Sequence, residues 1–289
     1  MTSPASGPAA PARIPVLAVL ARQGRSTAFA LAVVALLLVL AAIGPWIVPY
    51  PPLATSPLVL APPSLAHPFG TDHVGRDIFS RVIVATRLDI AIAVSAVSLS
   101  AVAGTALGAV SGYAGGLGDR VLSRLIDVMM AFPLFIAAMA LVAVFGNSVK
   151  SVVLATAIIN VPFYFRLARA EVAARRGIGY VEAATINGAT PLAVIFVFLL
   201  PNCLPSVIVQ ISLNLGWAVL NTSGLAFIGL GVAPPTPEWG VMIQEGAGLM
   251  LSGEWWVVTF PGLALVLSVF CFSLIGDAVR DLVDPRRRR

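Results

Sequence analysis

Few residues in this sequence have a type and spacing suited to chemistry. A phosphate-binding loop requires Gly immediately before Lys, and the only lysine, Lys150, follows a valine. His67, Asp72 and His73 lie close together, but without a helix-spaced pair or a fourth ligand they favour a solvated loop over a metal site. The chain has neither a Gly-x-Ser-x-Gly elbow nor a His-Glu-x-x-His motif. We therefore predict a chain without catalytic or metal site and without a bound cofactor.

Composition indicates a membrane protein. Of 289 residues, 58% are hydrophobic and 11% are charged, which is too little charge to cover a water-soluble globule of this size. Several charge-free windows are long enough to cross about 30 Å of hydrocarbon as helices. We predict an all-α integral membrane fold with six transmembrane helices, at about residues 27–48, 90–110, 128–145, 149–166, 203–230 and 257–276.

Positive charge predicts the orientation. With six spans and both termini cytoplasmic, the only outer Lys and Arg residues are Arg76, Arg81, Arg87 and Lys150. Making residues 192–200 a seventh span would move the basic C-terminus outside, so we predict an interfacial elbow there. The net charge of +5 comes without interleaved aromatic residues, which argues against nucleic-acid binding and favours contact with the lipid bilayer.

The chain divides into a membrane domain and two tails. Residues 1–25 are rich in Pro, Ala and Ser, typical of a disordered cytoplasmic tail, and residues 279–289 form a basic cytoplasmic tail. Between them, residues 26–278 form the six-helix domain. For its first outer segment, about 49–89, we predict an extended strap followed by an interfacial helix. Its longest cytoplasmic loop is 166–201.

Within that loop, one short segment has helical periodicity. Tyr180, Ala183, Ala184 and Asn187 recur at i, i+3, i+4 and i+7, which places them on one face of a two-turn helix. Small side chains on this face permit close approach of a partner. The alternative is an interfacial amphipathic helix with no docking role.

Residues that commonly end helices follow this short helix, and an acidic residue lies near its start. Gly188 stands where the helix would stop and predicts a left-handed cap, and Pro191 prevents its continuation. Glu182 lies near the helix start, where a carboxylate suits the helix dipole and is available for capping or for a partner's arginine.

A polar stripe follows the fifth predicted span. Ser206, Gln210, Asn214, Trp217 and Asn221 recur at intervals of 4, 4, 3 and 4 residues, so they share one helical face. Amides facing lipid are costly, so the stripe faces protein or a water-filled cavity. It either lines a pathway for a solute or bonds neighbouring helices.

Two prolines and one pair of charged residues also predict features of the third and fourth spans. Pro133 and Pro162 interrupt the third and fourth spans, where kinks would either widen a central passage or serve packing. Arg124 and Asp127, three residues apart, predict an ion pair within one helix.

The loop also carries a sequence resemblance. Glu182-Ala183-Ala184, Gly188 and Leu200-Pro201 resemble the coupling loop of permeases of ATP-binding-cassette (ABC) importers, although this family favours Ile where Phe198 stands. Further blocks are similar to the dipeptide, oligopeptide and nickel importer permeases, in the subunit type usually encoded second of a pair. Those blocks span about residues 67–289 and include Phe69-Gly70-Thr71-Asp72, Phe227-Ile228-Gly229-Leu230-Gly231, and Trp255-Trp256 with Phe260-Pro261-Gly262.

The resemblance implies a type I importer in the bacterial cytoplasmic membrane. This chain would pair with a homologous second permease, and two cytoplasmic ABC ATPases, which bind the ATP and Mg, would dock on the paired loops. An extracytoplasmic solute-binding protein would deliver small peptides, moved by alternating access. Nickel or another small solute is the alternative cargo, and an ATP-independent secondary transporter or channel is the alternative class.

Overall fold

The computed structural model describes residues 24–283, which are helical except for loops and one isolated antiparallel bridge between Thr71 and Asp77. The tail predicted at 1–25 falls almost entirely outside the described residues, as does the end of the basic tail from residue 284 onward. The helices are α1 (Arg25–Ile47), α2 (Ile78–Ala114), α3 (Gly116–Ala131), α4 (Leu134–Phe145), α5 (Val149–Arg175), α6 (Gly179–Ile186), α7 (Pro191–Phe227), α8 (Trp239–Gly246) and α9 (Trp256–Val283).

Membrane-spanning capacity lies in five long helices and one bent pair. Within the described range, α1, α2, α5, α7 and α9 are each long and apolar enough to cross a bilayer, and α3 with α4 gives a sixth candidate. The axes of α3 and α4 differ by 97°. Phe132 is extended (φ −85°, ψ 140°) because a residue before proline disfavours helical geometry, here before Pro133. The third span predicted at 128–145 is therefore broken rather than straight.

A single helix replaces the predicted elbow and fifth span. In α7, residues Val194–Leu199 form a π-helical turn, and the backbone N–H of Leu200 donates to the carbonyl of Ile195. Pro201 has no N–H to donate, and its ring would crowd the preceding turn of an α-helix, which the wider π turn relieves. The elbow predicted at 192–200 is therefore wrong as a separate element. With 37 residues, α7 is about 56 Å long, well beyond the hydrocarbon thickness.

The second span also differs from its prediction. No separate interfacial helix precedes it in the described segment, because α2 begins at Ile78 and continues unbroken to Ala114. Asp77 caps it, its carboxylate accepting a hydrogen bond from the Ser80 backbone N–H at 2.8 Å. Helix α5 also extends further than predicted and ends at Arg175. The loop predicted at 166–201 is therefore reduced to the short connection that contains α6.

Close contact between α2 and α5 depends on small residues. Gly104, Gly108 and Gly112 recur every four residues on α2, on the side that faces α5. A Cβ at Gly104 would lie 2.6 Å from the carbonyl oxygen of Val161, and one at Gly112 would lie 2.5 Å from that of Arg169. Helices approach this closely in membranes where glycines recur four apart. The four-residue spacing of these glycines is visible in the sequence.

Candidate functional site

The short helix α6 lies between the ends of α5 and α7 and is anchored on its inner side. Val181 and Ala184 are buried, and Val181 belongs to an apolar cluster with Val172 of α5 and Ile195 of α7. The cluster also includes Ala109 of α2. Displacement of α6 would therefore be passed to three of the long helices.

The predicted face of α6 borders an open groove. The groove has a volume of about 540 Å³. All four residues of the predicted face line it, and Phe198 of α7, at the position where an isoleucine was expected, adds an aromatic wall. The lining residues are Tyr180, Ala183, Ala184, Asn187, Gly188, Ala189 and Phe198. The small side chains therefore create a concavity in this chain, while Ile186, at 86% exposure, is the side chain that protrudes beside it.

A glycine cap ends α6. Gly188 has φ +82°, its N–H donates to the carbonyl of Thr185 at 3.0 Å, and the N–H of Ala189 donates to that of Ala184 at 3.0 Å. This pair of bonds is the Schellman motif. A Cβ at Gly188 would meet no heavy atom within 4 Å, so glycine is needed for its backbone conformation and not for space.

Pro191 and Glu182 flank this arrangement. Pro191 is the first residue of α7, and the hydroxyl of Thr190 caps that helix by accepting the Ala193 N–H at 3.3 Å. Proline thus starts the next helix as well as excluding the continuation of α6. Glu182 is exposed in the first turn of α6, and among the described residues its carboxylate has no hydrogen-bond or salt-bridge partner. It makes no cap in this chain.

The polar stripe of α7 turns partly toward α5. The Ser206 hydroxyl donates to Glu171 at 2.9 Å, and the Asn221 amide donates to the Thr156 hydroxyl at 3.3 Å. Both partners are on α5, so these two residues bond neighbouring helices, as the alternative interpretation required.

The middle of the stripe behaves differently. The Gln210 amide donates to the Asn214 carbonyl oxygen at 3.0 Å, and Gln210 and Trp217 are only half-buried. Asn214 is buried, and its Nδ2 makes no well-formed hydrogen bond among the described residues, although it interacts with the Tyr164 hydroxyl of α5. A poorly satisfied buried donor is costly, which points to water or another chain at this level of α7.

A buried ionic cluster, which the sequence analysis did not predict, ties the outer elements together. Arg76 donates to Asp72 at 2.5 Å and to Glu245 of α8 at 3.0 Å, while Arg81 donates to Glu245 at 3.1 Å. The two arginines balance the two carboxylates, so this group, beside His73, has no surplus negative charge for a cation. Asp72 belongs to the Phe69-Gly70-Thr71-Asp72 block that carries the family resemblance. The role of the cluster in this chain is to hold the strap, α2 and α8 in place.

A second buried group caps α8. Glu238 accepts the Val241 N–H at 2.6 Å and the Ser223 hydroxyl at 2.9 Å, and Asp89 of α2 accepts the Trp239 N–H at 3.3 Å. Burial raises the pKa of Glu238 above its ordinary value.

The predicted ion pair between Arg124 and Asp127 is wrong. Asp127 instead contacts Arg166 of α5 at 2.6 Å. The bend at Pro133 carries α3 across α5, and this tertiary contact replaces the local one. Pro162 lies inside α5, which continues through it.

Together, the long apolar helices and the anchored loop helix with its open groove define a multi-pass membrane subunit of the permease class. The chain belongs to the family described as "Binding-protein-dependent transport system inner membrane component", whose family model matches residues 104–289. The resemblance inferred from the motifs is thereby confirmed.

Curated relatives cover most of the chain. It is 41% identical over 255 residues to the probable D,D-dipeptide transport system permease protein DdpC of Escherichia coli K12, covering 88% of this chain and 85% of that protein. It is 36% identical over 275 residues to the dipeptide transport system permease protein DppC of Haemophilus influenzae, covering 93% of each.

A solved structure supports the fold. A chain from the inward-facing MetNI methionine ABC transporter superposes with a TM-score of 0.57 at 17% identity, covering 71% of this chain and 96% of that one. At this identity the likeness concerns the fold alone. The predicted all-α fold of an importer permease is confirmed.

Proposed function

We propose that this chain is a permease subunit of an ATP-driven importer that moves small peptides across the bacterial cytoplasmic membrane. The observation that carries the proposal is the groove beside α6, because it joins an accessible surface to the cores of α2, α5 and α7. The chain provides the path, and two partner ABC ATPases, with their ATP and Mg, provide the energy. A homologous second permease and an extracytoplasmic solute-binding protein complete the assembly.

Peptides are the proposed cargo because of the relatives' names. Those relatives include permeases for D,D-dipeptides, dipeptides, di- and tripeptides, and glutathione. All of these solutes contain amide or peptide groups. Amide side chains such as those of Gln210 and Asn214 can hydrogen-bond to such groups without selecting for side-chain charge.

The coupling site is proposed at Tyr180, Glu182, Ala183, Ala184, Gly188 and Pro191. A partner side chain enters the groove, while the exposed Ile186 and the unpaired Glu182, which do not line the groove, supply an apolar and an acidic contact elsewhere on α6. Because Val181 is buried against α5 and α7, closure of the ATPases would pull these helices with α6. Alternating access follows from that movement.

We propose that only the middle of the polar stripe lines the solute pathway. Gln210, Asn214 and Trp217 keep exposed surface or a poorly satisfied donor, whereas Ser206 and Asn221 bond α5. We expect Asn214→Leu to reduce peptide uptake while ATPase binding is retained. Unchanged uptake would remove the stripe from the pathway.

Both termini are proposed to be cytoplasmic. Only four of the 18 arginines and lysines, Arg76, Arg81, Arg87 and Lys150, lie on the outer side in this topology, which supports the orientation by the positive-inside rule. A tag after Arg289 should be protected from external protease in intact cells, and its digestion would overturn this orientation.

A pair of matched variants tests the docking role. Ala183→Leu adds bulk in the groove, and Thr185→Leu adds similar bulk to an exposed position outside the groove lining. We expect Ala183→Leu to abolish ATP-dependent dipeptide uptake and Thr185→Leu to retain it, with both proteins inserted in the membrane. Equal uptake by the two variants would refute docking at the groove, and uptake of nickel but no peptide would refute the cargo.

A further inference from the structure

One face of α3 is apolar and uncovered. Leu117, Val121, Leu125 and Val128 are exposed at 70%, 53%, 57% and 51% respectively. Their spacing places them on one stripe of the helix. This stripe is called the apolar face of α3 below.

Ile126 and Asp119 lie on the side of α3 opposite the apolar face, next to α5, while Asp127 lies near the edge that carries the arginines and reaches α5 through a half-exposed pair. Ile126 is buried, Asp119 accepts from Arg169 at 2.6 Å, and Asp127 accepts from Arg166 at 2.6 Å. The apolar face therefore points away from the rest of the chain, and both carboxylates of α3 are already neutralised.

Two arginines of α3 remain available. Arg120 and Arg124 are exposed, and neither has a salt-bridge partner in the described part of the chain. Arg120 only donates to the backbone carbonyl of Gly116, at 3.3 Å. At 100° per residue, Arg124 and Arg120 both border the same edge of the apolar face. The uncovered surface thus combines an apolar stripe with two unpaired positive charges.

The bend sets the direction of α3 relative to the bilayer. Ala138 and Val142, one turn apart on α4, share an apolar cluster with Val152 and Ala155 in the first half of α5, so α4 packs beside a membrane-spanning helix, and we take α4 to run along it. Because α3 makes an angle of 97° with α4, it runs close to the membrane plane. Its contacts with Arg166 and Arg169 place it at the opposite end of α5 from α4.

We infer that α3 is an interfacial helix whose apolar face enters the acyl boundary of the inner leaflet, and whose Arg120 and Arg124 bind the headgroups of anionic phospholipids. Amphipathic helices lie in this way when an apolar stripe is bordered by basic residues. A second permease covering the face would leave the two arginines to be desolvated without a visible acid, so lipid is the occupant that the charges favour. The inference depends on membrane insertion and not on the identity of the solute.

The test uses the full chain in nanodiscs with one fluorescent label on the apolar face. Cys203 and Cys271, both buried, are replaced by alanine, and Val121→Cys carries a bimane. Brominated phosphatidylcholine should quench this label strongly and aqueous iodide weakly, whereas a label at the exposed Ile178, beside α6, should show the reverse. Quenching of the Val121→Cys label mainly by iodide would show a water-facing helix. Loss of lipid quenching on assembly with the second permease would show a protein interface. Either result overturns the inference.

Anionic preference is measured with the same label. The ratio of quenching by brominated phosphatidylglycerol to that by brominated phosphatidylcholine gives the local selectivity. Arg120→Gln with Arg124→Gln should lower this selectivity by roughly fivefold per arginine removed. Arg87→Gln, at an exposed arginine of α2, should leave it unchanged. Selectivity that survives the double replacement, with unchanged helix content by circular dichroism, would contradict the headgroup contact.

Discussion

Replacing Gly188 isolates the backbone requirement of the α6 cap. Its φ of +82° is unfavourable for any residue with a Cβ, while the space around it is open to beyond 4 Å. Gly188→Ala should therefore cost only the left-handed backbone term, about 1–2 kcal/mol. A cost of this size lowers the population of the closed cap by a factor of about 5 to 30.

A graded series separates backbone strain from crowding. Asparagine is larger than alanine but tolerates the left-handed region better, so Gly188→Asn should fall between glycine and alanine. Gly179→Ala is the matched control, because Gly179 also has open space and begins α6 without a positive φ. We expect this control to be neutral or slightly stabilising.

Hydrogen exchange in the full chain measures the effect. The N–H groups of Gly188 and Ala189 close the cap, so exchange at residue 189 should accelerate about 5- to 30-fold in Gly188→Ala, less in Gly188→Asn, and not at all in Gly179→Ala. Faster exchange in the asparagine variant than in the alanine variant would show that crowding controls the site. Unchanged exchange in both would show that the cap does not hold α6.

Three other substitutions test the packing of the helices. Gly108→Leu should lower the stability in detergent by at least the roughly 1–3 kcal/mol typical of overpacking, because the new side chain would collide with the backbone of α5. Gly118→Leu, in open space, should not lower it. Equal melting temperatures of the two variants would contradict the close contact between α2 and α5. Arg81→Met should cost about 3–5 kcal/mol, because Arg76 alone then faces two buried carboxylates and one negative charge is left uncompensated, while Glu182→Ala should leave stability unchanged; a stable Arg81→Met protein would refute the ionic cluster. Because burial raises the pKa of Glu238, the folded state holds a proton on this carboxyl more tightly than the unfolded state does. The free energy of unfolding should therefore fall as pH rises from below the ordinary pKa through the raised one, and Glu238→Gln should flatten this dependence. An unaltered pH profile in Glu238→Gln would contradict a raised pKa at Glu238.

The α6 helix and its glycine cap could be predicted from the sequence because they depend on local patterns. The period of Tyr180, Ala183 and Asn187, and the stop at Gly188, depend on neighbours within a few residues, and the structure has the same face and the same left-handed glycine. The apolar windows likewise predicted six candidate spans, because the hydropathy of a segment is a local property.

Tertiary contacts account for what the sequence analysis missed. Asp127 has a nearby arginine at position 124, yet its partner is Arg166, and only the bend of α3 decides between them. Arg81 and Glu245 are 164 residues apart, so no spacing rule links them. The elbow near Pro201 failed for another reason, since a π turn accommodated a proline that usually ends a helix.

Photo-crosslinking at the groove beside α6 tests whether an ATPase docks there. A photoreactive phenylalanine in place of Tyr180, in cells expressing the complete transport system, should form a crosslink to a polypeptide with an ATP-binding cassette, and Ala183→Leu should abolish both this crosslink and dipeptide uptake. Uptake that continues while the crosslink is absent, or that proceeds in a strain lacking the ATPase, would contradict coupling of this permease to an ATPase through α6.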